Sequence, residues 1–286
     1  HRIKGAETSR GSVTVAREVI LCAGSINTPQ LMMVSGLGPG NHLKEFGIDV
    51  HMDLPGVGQN LMDHVAANLV FETHEPPPSW ERTPCESTIL TKLDPAEADP
   101  DILFHFVLRL REKYVGRDQF ADVPYGVKLS PNVARPRSRG HVQLSGPTID
   151  ASPVIELNYF SDSEGYDRRT LIGGLRFARQ LAETQSLSPF LKREISPGID
   201  VTNDDELFSY IRETCETVYH PAGTCRMGDL QNAETVVGPD LAVKGLAGLR
   251  IADASVFPDM VTVNICNTVM MVAERTAEII QEAYSV

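Results

Sequence analysis

The chain lacks an excess of positive charge and a long apolar run. Its 286 residues carry a formal net charge of -12, whereas a phosphate-binding surface must be basic, so we expect no nucleic-acid partner. No run of about 18 apolar residues occurs, which is the length that a transmembrane helix needs. The sequence therefore predicts neither a membrane span nor a membrane partner.

Cysteine pairs and metal motifs are lacking too. The chain has five cysteines, an odd number, and none forms a Cys-x-x-Cys motif, so we expect neither a disulfide framework nor a metal site. The N-terminal residues also lack the apolar core of a secretory signal. These features predict a reducing, cytoplasmic location, in which the thiols are small hydrophobic side chains.

What is present is a succession of three segments, of which the first, residues 1–72, has the pattern of a nucleotide-binding domain. An apolar run at 17–24 ends on Ala-Gly, as a buried parallel strand does where a ligand or another backbone comes close. Residues 27–30 predict a helix start with Pro29 in the first turn. The elements expected to follow are a glycine-rich helix end at 36–40, a short helix at 42–47 and an edge strand at 48–50.

The second segment, residues 73–217, begins after a composition shift near Glu72 that leads into proline-rich sequence. Runs at 102–107 and 140–145 predict strands, the second by its alternation of polar and apolar residues. A further helix is expected after a capping-box pattern at 202–205. The residues at helical spacing before it are Leu171, Leu175, Ala178 and Ala182. This mixture predicts an antiparallel sheet backed by helices.

The third segment, residues 218–286, returns to the nucleotide-domain pattern. Residues 249–254 predict a strand that ends at Asp253. Asn264 lies just before a final helix, where free amides and the positive end of the helix dipole favour an anion or an electron-rich ring. The predicted apolar face of that helix consists of Val269, Val272, Ala273, Thr276 and Ile280. The expected fold class is therefore α/β plus α+β, with part of a Rossmann-like domain and a substrate domain built on an antiparallel sheet backed by helices.

The chemistry-bearing residues lie in two stretches of the sequence. Residues 217–224 read Thr-Val-Tyr-His-Pro-Ala-Gly-Thr and place His220 before a proline and a turn of small residues, while residues 252–264 carry an acid, a serine and Asn264. An imidazole and an amide brought to one place are the groups that handle an alcohol hydroxyl beside an electron acceptor. We therefore predict His220 and Asn264 as the catalytic pair. A helix cap is the alternative role of Asn264, and the two roles are compatible.

These stretches, with two others, resemble the glucose-methanol-choline (GMC) oxidoreductases, flavoenzymes that oxidise alcohols with FAD. The other two are Ala-Gly-Ser-Ile-Asn-Thr-Pro-Gln-Leu at 23–31 and Asp-Leu-Pro-Gly-Val-Gly-Gln-Asn at 53–60, which is followed by Asp63 and His64. The resemblance covers the chain from about Val13 to its C-terminus and is greatest to the choline oxidase and choline dehydrogenase branch. It implies that the first and third segments belong to an FAD-binding domain and that the second is the substrate-binding domain.

The resemblance also implies a role for individual residues. His220 would take the hydroxyl proton while hydride passes to flavin N5, with Asn264 as its partner, and His105 would hydrogen-bond the alcohol oxygen. A histidine of the hydrophobic core is the alternative interpretation of His105. The residues expected to bind the cofactor are Ala23, Gly24, Asp253, Ala254 and Asn264.

The residues expected around the substrate depart from the choline-oxidising pattern. The resemblance puts Ala66 in the place of a glutamate, Cys85 in that of a tryptophan and Arg111 in that of a phenylalanine. A solvated strand face is the alternative interpretation of Arg111. A quaternary ammonium ion needs an anion or aromatic faces, which these three residues do not supply. We therefore expect a neutral or anionic alcohol as the substrate.

The family's Gly-x-Gly-x-x-Gly unit, which holds the pyrophosphate of the cofactor at a helix N-terminus, is absent from the sequence. We therefore expect a C-terminal half, be it a fragment, a processed product or a subunit, that binds FAD weakly without its missing N-terminal half. A homodimer stays open, as do oxidase and dehydrogenase chemistry. Two other functions also stay open: a hydroxynitrile lyase of the same family, which Asn264 in place of a second histidine disfavours, and a non-catalytic truncated chain.

Overall fold

The computed structural model of the chain describes residues 1–77, 85–107 and 123–284. Contacts within the chain divide it into two compact units. The first unit consists of residues 1–63, 138–159 and 220–286, and the second of residues 64–137 and 160–219. The divisions expected after residues 72 and 217 differ from these, chiefly because residues 138–159 join the first unit. The assignment of the segments to cofactor and substrate stays a prediction.

The described residues form fifteen strands and five α-helices. The strands, in chain order, are β1 (Gly5–Thr8), β2 (Gly11–Thr14), β3 (Val19–Leu21), β4 (Leu37–Gly38), β5 (Met52–Asp53), β6 (Val65–Ala66), β7 (Leu69–Thr73), β8 (Cys85–Thr91), β9 (Ile102–Val107), β10 (Gly126–Val133), β11 (His141–Gln143), β12 (Val154–Glu156), β13 (Leu191–Ser196), β14 (Glu216–Thr217) and β15 (Leu249–Ile251). The α-helices are α1 (Gly24–Val34), α2 (Gly40–Glu45), α3 (Tyr166–Ala182), α4 (Asp204–Thr214) and α5 (Cys266–Tyr284). Among the described helices, none combines the length and the apolar character that crossing a membrane requires.

The first unit contains a parallel pair of strands. β15 lies parallel to β3, with Leu249 opposite Val19, and α1 follows β3 directly, as expected for a nucleotide-binding domain. Ile20 is 42% exposed, so β3 is not the buried strand that the sequence predicts. The reason is that the sheet has only two strands in the described part of the chain, which leaves the Ile20 side uncovered.

α1 begins earlier than predicted. The carboxylate of Asp253 accepts a hydrogen bond from the N–H of Gly24 at 2.9 Å, and the helix starts there. Pro29 consequently lies in the second turn and not in the first. Because proline has no N–H group, it deprives the carbonyl of Ser25 of its helical donor. The hydroxyl of Thr224 donates to that carbonyl instead, at 2.6 Å.

A second parallel pair joins β4 to β5. Its second strand spans Met52–Asp53 and not the predicted residues 48–50, because the N–H groups of His51 and Met52 donate to the carbonyl of Gly36. The short helix predicted between these strands is α2. Its end is followed by the expected glycine, Gly47, with a φ of +69°.

The final helix, α5, is buried along a narrow stripe. Val272 and Thr276 are buried, whereas Ala273, which the sequence places on the apolar face, is exposed. Met270 and Met271 are 54% and 56% exposed. The described residues thus cover less of α5 than its apolar pattern predicts.

The second unit contains a seven-stranded sheet. β10 pairs antiparallel with β7, β9 and β6, so the predicted antiparallel sheet is confirmed. α3 packs on the face of β10 that carries Pro131, where Gly174 allows close approach. The predicted helical residues that it buries are Leu171, Leu175, Ala178 and Ala182. α4 is capped by Asn203, which accepts from the N–H of Glu206, one residue later than the predicted capping box.

Glu72 on β7 binds the neighbouring edge strand of this sheet, β13. Its side chain is 4% exposed and accepts hydrogen bonds from Lys192 Nζ and Arg193 Nε on β13, each at 2.7 Å. These bonds lower the pKa of the Glu72 carboxyl, against the opposing effect of its burial. Charge-assisted bonds therefore hold β13 to β7.

Candidate active site

The predicted catalytic pair is in contact in the first unit. The Nδ2 atom of Asn264 lies 3.3 Å from the Nε2 atom of His220. His220 is 7% exposed, whereas Asn264 is exposed and precedes α5. A sheltered imidazole thus faces a neutral amide, which can orient the ring without competing for a proton.

Asp63 fixes the backbone at His220. Its Oδ1 atom accepts the N–H of His220 at 3.0 Å, and its Oδ2 atom accepts the hydroxyl of Tyr159 at 2.5 Å. Asp63 is 4% exposed, so both bonds are charge-assisted and sheltered from water. The preceding residue, Tyr219, has a φ of +67°, which is rare for a bulky side chain and marks a constrained turn before His220.

The turn after His220 requires glycine at position 223. Ala222 exchanges two backbone hydrogen bonds with Met62, both at 2.9 Å. Gly223 has a φ of +89°, and a Cβ atom there would lie 2.7 Å from the carbonyl oxygen of Asn60. A side chain at this position would therefore be strained both by its φ and by the contact.

Four of the five predicted cofactor-binding residues, all except Asn264, come together at the carboxyl ends of β3 and β15. Asp253 Oδ2 accepts the N–H of Gly24 at 2.9 Å and the hydroxyl of Thr28 at 2.6 Å. Asp253 Oδ1 accepts the N–H of Ser255 at 2.8 Å. The carboxylate therefore braces the end of β15 against the start of α1. The residues that flank these two ends are Ala23 and Ala254.

Two observations at this edge fit a bound dinucleotide. A Cβ atom built on Gly24 would meet nothing within 4 Å, so the backbone at the start of α1 is open to a ligand. Next to it, the buried Oγ atom of Ser25 has no hydrogen-bond partner within the described ranges. Ligands of parallel sheets bind where strands end and helices begin. The residues present therefore fit part of FAD, while the pyrophosphate-binding glycine unit is not in the sequence.

In the second unit, His105 lies on a polar face of the sheet. It stands opposite Ser130 in the register of β9 and β10, on the face away from Pro131 and α3. Asn132 Nδ2 lies 3.1 Å from His105 Nδ1. Ala66 stands opposite Asn132 in the register of β6. The structure therefore brings two predicted substrate-side residues, Ala66 and His105, to one face.

A partly buried ion pair lies on the same face. Glu216 stands opposite Ala66 in the register of β14. Its Oε1 atom accepts from Lys128 Nζ at 3.0 Å and from Asn68 Nδ2 at 2.9 Å. Lys128 is 9% exposed. The negative charge of Glu216 is therefore matched by a sheltered ammonium group and a hydrogen-bonded amide.

Two predicted substrate residues are not placed by the structure. Arg111 lies outside the described residues, and only the backbone of Cys85 is described, at the start of β8. His64, which belongs to the loop that resembles the family's flavin loop, is fully buried. Its Nε2 atom lies 3.0 Å from the carbonyl oxygen of Ala134, so it braces the backbone there.

The cysteines whose side chains are described are free thiols. Burial raises the pKa of Cys225 and of Cys215, and burial together with the Asp253 carboxylate raises the pKa of Cys22. Because the thiolate is the reactive form, these shifts make the three groups less reactive. Cys225 is buried as a small hydrophobic residue, whereas Cys22 and Cys266 are exposed. Among the described residues, no cluster of metal-ligating side chains occurs.

Asp63, Tyr159 and Asn132 take part in these arrangements although no role for them is predicted from the sequence. Asp63 and Tyr159 are distant from the histidine motif along the chain, and no local pattern connects them to it. For Asn132 a signal exists. Lys128, Ser130 and Asn132 are polar at every second position, which is the pattern of one strand face.

Comparison with known proteins identifies the family. The models for the N-terminal and C-terminal parts of GMC oxidoreductase match residues 2–66 and 136–273. The chain is 41% identical over 271 residues to choline oxidase of Arthrobacter globiformis, covering 95% of this chain and 50% of that protein. It is 38% identical over 291 residues to alcohol dehydrogenase (acceptor) of Pseudomonas putida, covering 93% of this chain and 51% of that protein.

Two solved structures are similar to nearly the whole of this chain. Pyridoxine 4-oxidase from Mesorbium loti superposes with a TM-score of 0.85 at 28% identity, covering 94% of this chain and 52% of that one. Formate oxidase superposes with a TM-score of 0.86 at 25% identity, covering 99% of this chain and 58% of that one.

The chain spans about half the length of the curated relatives it matches. Members of this family are FAD-dependent oxidoreductases, and the relatives named choline oxidase and alcohol dehydrogenase act on CH–OH donors, so the resemblance and the cofactor expected from it are confirmed for the family. From both family models and from relatives at 41% and 38% identity, the chain belongs to the GMC oxidoreductase family.

Proposed function

We propose that the protein oxidises an alcohol to an aldehyde or ketone with FAD, and that this chain supplies the residues that take the hydroxyl proton. The contact of His220 with Asn264, at 3.3 Å, carries the proposal. FAD, when bound, accepts the hydride of the alcohol carbon at N5. The similarity to choline oxidase and to alcohol dehydrogenase (acceptor) supports this class of reaction.

His220 is the proposed general base. Hydride leaves an alcohol carbon only as the oxygen becomes alkoxide-like, so the O–H bond must break toward a base. His220 takes that proton, the electron pair of the C–H bond leaves with the hydrogen as hydride, and the C=O double bond forms. The bond from Asp63 to the backbone of His220 holds the imidazole in place, and the amide of Asn264 orients the ring. Such assistance contributes about two to four orders of magnitude in rate.

The residues proposed to hold FAD lie mainly at the carboxyl ends of β3 and β15. The open backbone at Gly24 and the buried hydroxyl of Ser25 support this placement. Asp253 already receives bonds from the chain itself, so its proposed part is to shape this edge. The full proposed set is Ala23, Gly24, Asp253, Ala254 and, on the flavin side, Asn264.

The proposed substrate is a neutral or anionic alcohol whose oxygen accepts a hydrogen bond from His105. Ala66 stands where the choline-oxidising pattern has a glutamate. The carboxylate opposite it in the sheet, that of Glu216, is engaged by Lys128 and does not supply the anion that a quaternary ammonium ion needs. By family position, Cys85 and Arg111 would complete this side of the site.

Exchange of Ala66 tests the charge of the substrate. Ala66→Glu introduces the carboxylate, and Ala66→Gln adds the same bulk without the charge. We expect Ala66→Glu to raise the kcat/KM ratio of choline to benzyl alcohol by about tenfold, as an added attraction of about 1.4 kcal/mol would, and Ala66→Gln to leave the ratio unchanged. A wild-type protein that prefers choline to every neutral or acidic alcohol would refute the proposed substrate class.

We further propose that tight binding of FAD needs an N-terminal half that carries the glycine unit. Exposed apolar residues on α5 and β3, namely Met270, Met271 and Ile20, support an uncovered surface on this unit. Titration of this chain with FAD should show weak binding that an added N-terminal half strengthens. Tight stoichiometric binding by this chain alone would contradict the proposal. A cytoplasmic location and a homodimer remain predictions from the sequence.

Anaerobic reduction of the flavin tests the reaction. With FAD bound, an alcohol should bleach the flavin absorbance, and His220→Ala should keep its flavin but react at least about a hundredfold more slowly. His51→Ala, the exchange of an exposed histidine, is the matched control and should react at the wild-type rate. Turnover of a hydroxynitrile without bleaching would favour the lyase alternative. FAD-loaded protein that no alcohol reduces would favour the non-catalytic one.

A further inference from the structure

Asn132 contacts His105 from the neighbouring strand. Its Nδ2 atom lies 3.1 Å from His105 Nδ1 and 3.2 Å from the carbonyl oxygen of Ser130. Asn132 is fully buried, whereas His105 is half-buried. The buried amide of Asn132 therefore contacts the half-buried imidazole of His105 on the face of the sheet that also carries Ala66.

The bond to Ser130 fixes the orientation of the Asn132 amide. A backbone carbonyl oxygen only accepts hydrogen bonds, so the amide atom that faces it must be the NH2 group. The same NH2 group faces His105 and directs its second hydrogen at Nδ1. Nδ1 therefore carries a lone pair, and the proton of the neutral imidazole is on Nε2.

Folding alone does not explain an asparagine at this position. Asn132 Oδ1 is buried and has no hydrogen-bond partner within the residues that the structure describes. A buried carbonyl without a partner costs stability, and a leucine of similar size would avoid that cost. What the asparagine adds is a donor for His105.

We propose that Asn132 is a positioning residue that keeps His105 neutral with its proton on Nε2, so that His105 serves the substrate oxygen as a hydrogen-bond donor. Protonation of His105 Nδ1 would place its N–H group directly opposite an N–H group of Asn132, and the repulsion between these two donors disfavours the charged ring. A neutral donor stabilises the alkoxide-like oxygen without taking the proton that is assigned to His220. The effect on turnover rests on the proposed function, whereas the position of the proton does not.

Nuclear magnetic resonance of the chain with isotope-labelled histidine tests the position of the proton, because protonated and unprotonated ring nitrogens differ in chemical shift. The His105→Gln variant identifies the signals of His105 by their loss. We expect a neutral His105 that is protonated on Nε2. Asn132→Asp replaces the donor by an acceptor and should move the proton to Nδ1. A wild-type His105 that is charged at neutral pH, or carries its proton on Nδ1, overturns the inference whether or not the protein oxidises alcohols.

Kinetics of the FAD-loaded protein test the positioning role. Asn132→Leu keeps the bulk but removes the donor, and we expect it to lower kcat/KM by about 10- to 100-fold. In a His105→Gln background the glutamine amide donates without any tautomer, so the same change should cost less than about threefold. Equal losses in both backgrounds would show a merely structural role and overturn the inference. Wild-type protein without turnover would count against the proposed function, and the nitrogen shifts would still decide the tautomer.

Discussion

Thr224 and Pro29 show how the turn that follows His220, the proposed general base, is attached to α1. The carbonyl of Ser25 lacks its helical donor because Pro29 has no N–H group, and the hydroxyl of Thr224 donates to it at 2.6 Å. Thr224 is 0% exposed and Ser25 is 4% exposed. Thr224→Val keeps the shape but leaves a buried acceptor unsatisfied, which should lower the free energy of unfolding by about 1–3 kcal/mol. For a protein of this size, Tm falls by roughly 2–4 °C per kcal/mol.

A second change should restore the lost partner. With Pro29→Ala, the backbone N–H at position 29 can donate to the carbonyl of Ser25, so Thr224→Val should then cost less by about 1 kcal/mol or more. Thr224→Ser keeps the hydroxyl and is the matched control for the lost hydrogen bond. Urea unfolding of all variants, followed by circular dichroism, gives the four free energies of the cycle. An equal cost of Thr224→Val with and without Pro29 would refute the hydrogen bond as the attachment.

Three further changes test other features of the molecule. Asp63→Ala removes the acceptor of the His220 N–H and should lower kcat by about a hundredfold with flavin retained, since a misplacement of about 1 Å has this effect; an unchanged kcat contradicts the anchoring role. Gly223→Ala should cost about 1–3 kcal/mol in thermal unfolding, because of its φ of +89° and the contact of 2.7 Å with Asn60; a variant as stable as the wild type would refute this. Glu72→Gln should lower the free energy of unfolding above about pH 4.3 and have no effect in stronger acid. The reason is that hydrogen bonds lower the pKa of this carboxyl, and their contribution to stability is lost as pH falls through that pKa. A loss of stability that is constant with pH would exclude the carboxylate as its source.

Local patterns predict the elements whose structure local packing decides. The helical spacing of Leu171 and Leu175 predicts α3, and both residues are buried against the sheet. The apolar run at 102–107 predicts β9 with its observed bounds. In both cases the residues that face the core are neighbours in the periodic pattern, so the sequence around them contains the information.

Elements that depend on distant partners are predicted less well. β10 contains Pro131, which argues against a central strand. On one side, however, β10 pairs with β7 as far as Leu129 and with β6 at Asn132. Pro131 lies where the partner changes, so its missing N–H interrupts no ladder on that side. The start of α1 is fixed in the same way by a residue far along the chain, Asp253.

The residues of the candidate site also differ in whether a local pattern predicts them. His220 and Asn264 are recognisable because their motifs are short and carry chemistry. Asp63 bonds to the backbone of His220 from 157 residues away, and Asn132 approaches His105 from another strand. Such supporting contacts depend on the register of strands and on the paths of loops, which neither spacing nor composition encodes.

His220 is central to the proposed reaction because its imidazole takes the proton of the alcohol. The most direct measurement is the rate constant of flavin reduction by an alcohol in FAD-loaded His220→Ala, with and without added imidazole. We predict slow reduction that accelerates in proportion to the concentration of neutral imidazole, while the flavin content stays that of the wild type. Reduction of the flavin in His220→Ala at close to the wild-type rate, without imidazole, would contradict the role of His220.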